Sequence, residues 1–317
     1  PLRLSTIIAW LYPMSAGRLT LIGSALSFAP PHYIFCYLDR HYLLLLALAS
    51  AWGSSFLFIE LALADLPAVM VAMGRTAIAA GVLYLVAKRQ GHDLPGPPSP
   101  GGNGGQWFIL AILAVVGYAL PFFLIANAQT HLDSNLAGIF IGATPLVTLV
   151  VVHFGTRDEK MTKTRIMGVA AGFLGIVVLL GPSAWGAWGT RGALTGLDDD
   201  LLAQGSLLLV GLSFAANALI ARRMTPLPPA VAACAVSLLA TVMLFPIAIA
   251  TDPGLGTSPG WLAIGAVFIL GAYCTGAAAW LFFILVQERG ANFVISANYL
   301  LPLVAMTLGV VFLSEQP

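Results

Sequence analysis

Arg75 stands about nine residues inside an apolar run that begins at residue 66. A charge at that depth in a hydrocarbon environment is expensive, so it is a functional candidate by default. Two readings of it stand side by side. It can anchor a bound carboxylate or pair with a charge inside a cavity, or it can be a structural arginine bonded to helix-end carbonyls. Ser54 and Ser55 offer hydroxyls with little bulk, and small residues of this kind also let helices approach closely. Asn217 offers an amide that both donates and accepts. Asn298 lies about eight residues into another apolar run, beside Tyr299 and ahead of Pro302. Asn127 and Gln129 sit at the end of a run, whereas Asn135 and Asn292 are placed to cap the helices that follow them.

Aromatic side chains are more numerous. Trp52, Phe56, Tyr118, Phe122, Tyr273 and Trp280 fall in central apolar runs, where their faces could stack on an apolar ligand or simply pack. Trp107 and Trp261 open runs and suit the interfacial belt. Pro121, Pro145 and Pro302 each remove a backbone donor from a run, and Gly138 and Gly142 lie close before and beside the second of them. These positions are candidate hinges, as well as candidate static kinks. The site expected from depth and position is therefore Trp52, Ser55, Arg75, Tyr118, Asn217, Trp280 and Asn298, with Pro121, Gly138, Pro145 and Pro302 as hinges.

Other chemistry finds little support. Asp198, Asp199 and Asp200 precede an apolar run, where negative charge complements a helix N-terminus. Gly101 to Gly105 lacks the lysine and the strand-to-helix context of a phosphate loop. Cys36, Cys234 and Cys274 are too scattered for a disulfide framework or a zinc site. No Ser/His/Asp set shares a depth, so no catalytic residue, metal or cofactor is expected, and the chain is not expected to be an enzyme. With 14 Lys and Arg against 13 Asp and Glu, no basic face points to nucleic acid. No Asp or Glu lies deep in a run, which leans toward a facilitative carrier driven by membrane potential or a substrate gradient.

The elements that must position these residues follow from composition. Of 317 residues 59% are hydrophobic and 9% charged, against about 45–50% and about 25% in soluble domains. That leaves too little charge to cover a soluble surface, and the apolar excess must face lipid. A bilayer core about 30 Å thick needs roughly 20 apolar residues per helix. Nine segments meet this: 42–62, 66–87, 106–127, 134–154, 164–181, 201–221, 229–251, 259–286 and 290–313. They are apolar all round without strand-like alternation, so they read as helices. Residues 1–41, broken by Pro13, Arg18, Pro30, Pro31 and Asp39, form an atypical N-terminal segment on or partly in the membrane surface.

Lysine and arginine set the orientation. With Arg40 inside, the cytoplasmic loops hold Lys88, Arg89, Arg157, Lys160, Lys163, Arg165, Arg222, Arg223 and Arg289, and the opposite loops hold only Arg191. Glu60, Asp65, Asp133, Asp198 to Asp200 and Asp252 fall on that opposite side.

The chain also repeats itself. Leu66-Pro67 matches Leu227-Pro228. Ser134-Asn135-Leu136 through Thr144-Pro145-Leu146 matches Ala291-Asn292-Phe293 through Leu301-Pro302-Leu303, an offset of 157 residues. Each unit holds five spans, an odd number, so the second copy enters the membrane upside down. Inverted repeats are typical of secondary transporters, which bind substrate near the midplane.

Ala51-Trp52-Gly53-Ser54-Ser55-Phe56, Met73-Gly74-Arg75, and Pro145 followed by Asp158-Glu159 and Gly168 to Gly175 together resemble the EamA domain of the drug/metabolite transporter superfamily, in two copies over residues 42–317. The resemblance implies an all-α membrane protein of two inverted five-helix repeats, 42–182 and 199–317. It implies a tenth helix after Glu315, apparently missing here, and gives residues 1–41 no counterpart. A truncated or mis-bounded chain is one expectation, and partial filling of the vacancy by residues 1–41 another. It further implies a carrier of small metabolites such as amino acids, with the peripheral helices serving a homodimer. The function expected is thus export or exchange of amino acids, aromatic ones among them, or similar amphipathic compounds by alternating access. The expected setting is a multi-pass protein of the inner (plasma) membrane, basic loops cytoplasmic, whose partners are a small-molecule substrate and the lipid bilayer. The alternative is a channel or a lipid-handling scaffold.

Overall fold

The computed structural model describes residues 40–96, 104–142, 199–221, 226–251, 259–290 and 296–315, with single positions 144, 147, 167, 174, 224, 293 and 294. Eight helices follow in order: α1 (Arg40–Leu63), α2 (Ala68–Arg89), α3 (Gly104–Ala128), α4 (Ser134–Gly142), α5 (Asp199–Ala221), α6 (Pro229–Thr251), α7 (Trp261–Arg289) and α8 (Ser296–Leu313). Seven of them, all but α4, are long and apolar enough to cross a membrane. No strand occurs among the described residues, so the fold is all-α. The fifth expected span, most of the fourth beyond Gly142, and residues 1–39 lie outside the described residues. All packing below is within residues 44–315.

Local sequence explains where the helices begin and end. Pro67, extended at φ −61° and ψ 148°, precedes α2, and Pro228 precedes α6. A proline is tolerated at these places because the first N–H groups of a helix have no internal acceptor. Gly91, at φ +76°, closes α2, its own N–H bonding to Lys88 O and that of His92 to Ala87 O. A left-handed glycine is the usual way to satisfy those last carbonyls.

The helices pack in a reciprocal pattern. α2 lies against α6, and α4 against α8. The contact of α3 with α5 has its counterpart in α1 with α7, that of α2 with α7 in α3 with α6, and that of α4 with α5 in α1 with α8. Each element is thus matched by the one four places later. The matched helices run antiparallel. Cys234 Sγ reaches Ala80 O at 3.4 Å and Thr241 Oγ1 reaches Thr76 Oγ1 at 2.9 Å, so α6 advances as α2 retreats. On α4 and α8, Gly138 faces Ala305 and Gly142 faces Pro302, again in opposite directions. Two copies of one arrangement, related by inversion, account for this pattern.

Small residues make the pattern possible. Lipid tails are as apolar as leucine, so helix association rests on close packing and on interhelical hydrogen bonds. A methyl group at Gly53 would sit 2.5 Å from Val304 Cβ, and one at Gly271 2.6 Å from Ile78 Cβ. At Gly138 and Gly142 it would overlap Ala305 and Pro302. Ends are tied by polar groups that the sequence reading did not foresee. Glu315 Oε1 accepts from the Ser134 N–H at 2.9 Å, which caps α4 from the end of α8, and Asp65 Oδ2 accepts from the Gly260 N–H at 2.9 Å ahead of α7. Asn135 and Asn292, the expected caps, have side chains outside the description.

Three helices are not regular: α3, α7 and α8, the last ending in a π-helical turn at Gly309–Leu313. α3 widens to a π-helical turn at Val115–Ala119 and α7 at Leu270–Ala277. The 157-residue offset lays one on the other, with Gly117 on Cys274 and Tyr118 on Thr275. Such turns leave carbonyls without their helical donors and occur often at functional sites. α8 opens as a 3₁₀ stretch, Ser296–Leu300, which carries Asn298.

Candidate functional site: a cavity between the two repeats

The π-helical stretches of α3 and α7 face a common cavity, walled by α1, α2, α3, α4, α5, α7 and α8 and by Thr144 and Val294. α6 supplies no lining residue. The cavity holds about 80 Å³, and at ~15 Å³ for each water this is room for roughly five. Most of the wall is apolar: Trp52 and Phe56 from α1, Phe122 and Ile125 from α3, Phe214 from α5 and Phe282 from α7. Trp52 and Phe282 rings are 6.1 Å apart, and Tyr118 and Phe122 meet edge-on at 5.2 Å.

Arg75 is the one charged group among the described lining residues, and it is only 3% exposed. Gly74 and Gly271 let α2 and α7 approach until Arg75 Nε donates to Thr275 Oγ1 at 2.9 Å. Thr275 passes its own hydroxyl hydrogen to Leu270 O at 2.8 Å, a carbonyl of the π-helical stretch. The guanidinium carbon lies 3.8 Å over the Phe122 ring, a desolvated cation–π contact worth about 2 kcal/mol. No carboxylate pairs with Arg75 among the described residues. The side chain as a whole lines the cavity.

Neutral polar groups complete the wall. Ser55 donates to Trp52 O at 2.6 Å within its own helix, and Ser54 lies 3.5 Å from Cys274 Sγ across to α7. Asn217 occupies a place that exists because residue 117 is glycine; a Cβ there would overlap its amide. One turn earlier, Ser213 Oγ donates to Val116 O at 2.5 Å and so satisfies the π-helical turn of α3, as Thr275 does in α7. Asn298 is buried in the 3₁₀ start of α8.

The structure thus brings Trp52, Ser55, Arg75, Tyr118, Asn217 and Asn298 to one cavity and leaves Trp280 elsewhere. Trp280 packs beside Ala87, Ala230 and Val231 at the α2–α6 seam. Tyr273 and Tyr299 point outward, 44% and 52% exposed, and Trp261 is 89% exposed at the start of α7. Asn127 is exposed, whereas Gln129 is buried and donates to Phe56 O at 3.0 Å. Pro121 follows the π-helical turn of α3 and Pro302 follows the 3₁₀ stretch of α8, while Pro145 is outside the described residues. Thr275, Gly117 and Phe214 were not singled out from the sequence. The run Leu270-Gly271-Ala272-Tyr273-Cys274-Thr275-Gly276, dense in small residues with one hydroxyl, was the available signal.

An inverted pair of repeats around a cavity is a shape shared by families of carriers, and two separate stretches decide which one. Residues 40–181 and residues 201–317 each match the EamA-like transporter family. The chain belongs to that family. Among curated proteins, it is 24% identical to Protein PagO of Salmonella typhimurium over 44% of this chain and 42% of that one. It is 26% identical to an uncharacterized transporter of Archaeoglobus fulgidus over 45% and 49%. The chain therefore spans less than half the length of these curated relatives in the regions that match. A solved crystal structure superposes with a TM-score of 0.64 at 18% identity, covering 87% of this chain and 89% of its own; that likeness establishes the fold alone. Both the EamA-like family and the seven apolar helices make this a multi-pass membrane protein.

Proposed function

We propose that this EamA-like protein is a secondary carrier that exports or exchanges small metabolites by alternating access through the cavity between its repeats. The observation that carries the reading is the cavity itself: every described helix of its wall but α2 has its inverted counterpart in the wall, so one packing opens to one side and the matching packing to the other. Trp52, Ser55, Arg75, Tyr118, Asn217 and Asn298 form the substrate site, joined by Thr275. The aromatic bulk, one cation and a few neutral hydrogen-bonding groups suit amino acids, aromatic ones among them, and similar amphipathic compounds. Pro121 and Pro302, each placed where a helix leaves α geometry, serve as the bending points.

The loop charges orient the carrier with Lys88, Arg89 and Arg289 on the cytoplasmic side of the inner membrane. A homodimer through peripheral helices is the proposed assembly. Carrier and channel separate in proteoliposomes preloaded with a mixed amino-acid pool and given labelled aromatic and aliphatic amino acids outside. A carrier gives saturable uptake that is accelerated by the internal pool. Uptake that is linear in concentration and indifferent to the internal pool contradicts the carrier.

A further inference from the structure

Within the carrier reading, on which this inference rests, we propose that the preferred substrates are organic monoanions: a carboxylate on an apolar body, without a free ammonium group. The argument is one of charge. The Arg75 guanidinium stays protonated in proteins, and its described partners, Thr275 and Phe122, are neutral. No Asp or Glu lines the cavity among the described residues. Counted over the described lining residues, the empty site therefore holds a charge of +1, a bound carboxylate monoanion makes it neutral, a zwitterionic amino acid leaves it at +1, and an amine raises it to +2. A buried ion is tolerated when it is paired and hydrogen-bonded, so the monoanion completes what the protein leaves open.

Geometry agrees with charge. Thr275 holds Nε and Phe122 covers one face of the guanidinium, and the planar group that these contacts fix in the cavity wall has the fork geometry that a carboxylate engages with both oxygens. An ammonium group finds no equivalent. The acceptors described around the cavity, among them the Ser55 and Thr275 hydroxyl oxygens and the amides of Asn217 and Asn298, are all neutral, and no carboxylate stands with them to balance a second cation. Trp52 and Phe282, in the same cavity, offer the apolar body a surface.

The test uses the full chain in proteoliposomes and pairs of compounds that differ only in the ammonium: phenylalanine with N-acetylphenylalanine, and leucine with N-acetylleucine, with phenethylamine as the cation. N-acetylphenylalanine or N-acetylleucine is expected to exchange with a KM at least tenfold below that of its parent amino acid, and phenethylamine not to exchange. Arg75→Gln is expected to abolish that preference, and Arg75→Lys, which keeps the charge and loses the fork, to restore it in part. A measurement on the unaltered chain guards against misfolded variants: exchange of the N-acetyl compound is indifferent to an imposed potassium–valinomycin potential, because the loaded site is neutral. Equal or better exchange of the zwitterions, or anion exchange that follows the potential, overturns the monoanion assignment and leaves the carrier standing. Exchange of none of these compounds overturns the assignment, and if the mixed amino-acid pool also fails to exchange, the carrier reading falls separately.

Discussion

Arg75 Nε and Thr275 Oγ1 lie 2.9 Å apart, and through that bond α2 is fastened to the π-helical stretch of α7 at the wall of the cavity. The same hydroxyl satisfies Leu270 O at 2.8 Å. One side chain thus holds a buried cation and adds a bond to a carbonyl of the widened helix.

Replacing Thr275 by valine keeps the shape and removes both bonds. The buried Arg75 Nε–H then loses its partner and Leu270 O loses one of its bonds, a loss of about 1–3 kcal/mol. Thr275→Val is expected to melt several degrees lower in detergent and to exchange substrate poorly, and Thr275→Ser to recover both. A melting curve beside an exchange assay checks it.

Gly117 and Asn217 form a lock of a different kind. Since a Cβ at 117 would overlap the Asn217 amide, Gly117→Ala is expected to push that amide from the cavity wall and to lower exchange about tenfold, about 1.4 kcal/mol. Combining it with Asn217→Ala relieves the overlap. The double variant should therefore regain the stability lost by Gly117→Ala without regaining its exchange, which a double-mutant cycle on melting temperature and exchange rate reads directly.

The α4–α8 seam is expected to be the least forgiving packing surface. Gly138→Val and Gly142→Val force side chains into Ala305 and Pro302, and overpacking of this sort costs about 1–3 kcal/mol. Gly265, with nothing within 4 Å of its missing Cβ, should accept alanine with no loss. Thermal stability of the three variants in one detergent separates the cases.

Glu315 caps α4 from the end of α8. Glu315→Ala should cost about 0.5–2 kcal/mol, the usual range for a lost helix cap. Glu315→Gln keeps an acceptor for the Ser134 N–H and should stay closer to the unaltered protein, as chemical denaturation of the two would show.

Much of this arrangement is written in the sequence at the level of hydrophobic runs and depth. Arg75 is conspicuous because a charge so far inside an apolar run has few explanations, and Ser55, Asn217 and Asn298 stand out by the same logic. The inverted repeat is legible in Leu66-Pro67 and Leu227-Pro228, which open α2 and α6. What the sequence does not show is which face of an all-apolar helix turns inward. Trp280 shares the depth and chemistry of Trp52, yet it lies at the α2–α6 seam. The π-helical turns add a residue to the local helical repeat, so they rotate the face that follows. Thr275 enters the cavity and Tyr273, two residues earlier, faces outward, the opposite faces that a separation of about 200° gives them; which of the two faces inward is what the sequence leaves open.

The claim that the cavity carries the substrate is tested most directly by filling it. Ala279 lines the cavity on α7 and Leu303 lies on the outer surface of α8, 64% exposed. Proteoliposome exchange is measured for Ala279→Trp and Leu303→Trp, each confirmed as folded by its melting transition. The account predicts that Ala279→Trp abolishes exchange and that Leu303→Trp leaves it intact. Full exchange through a folded Ala279→Trp protein would contradict it.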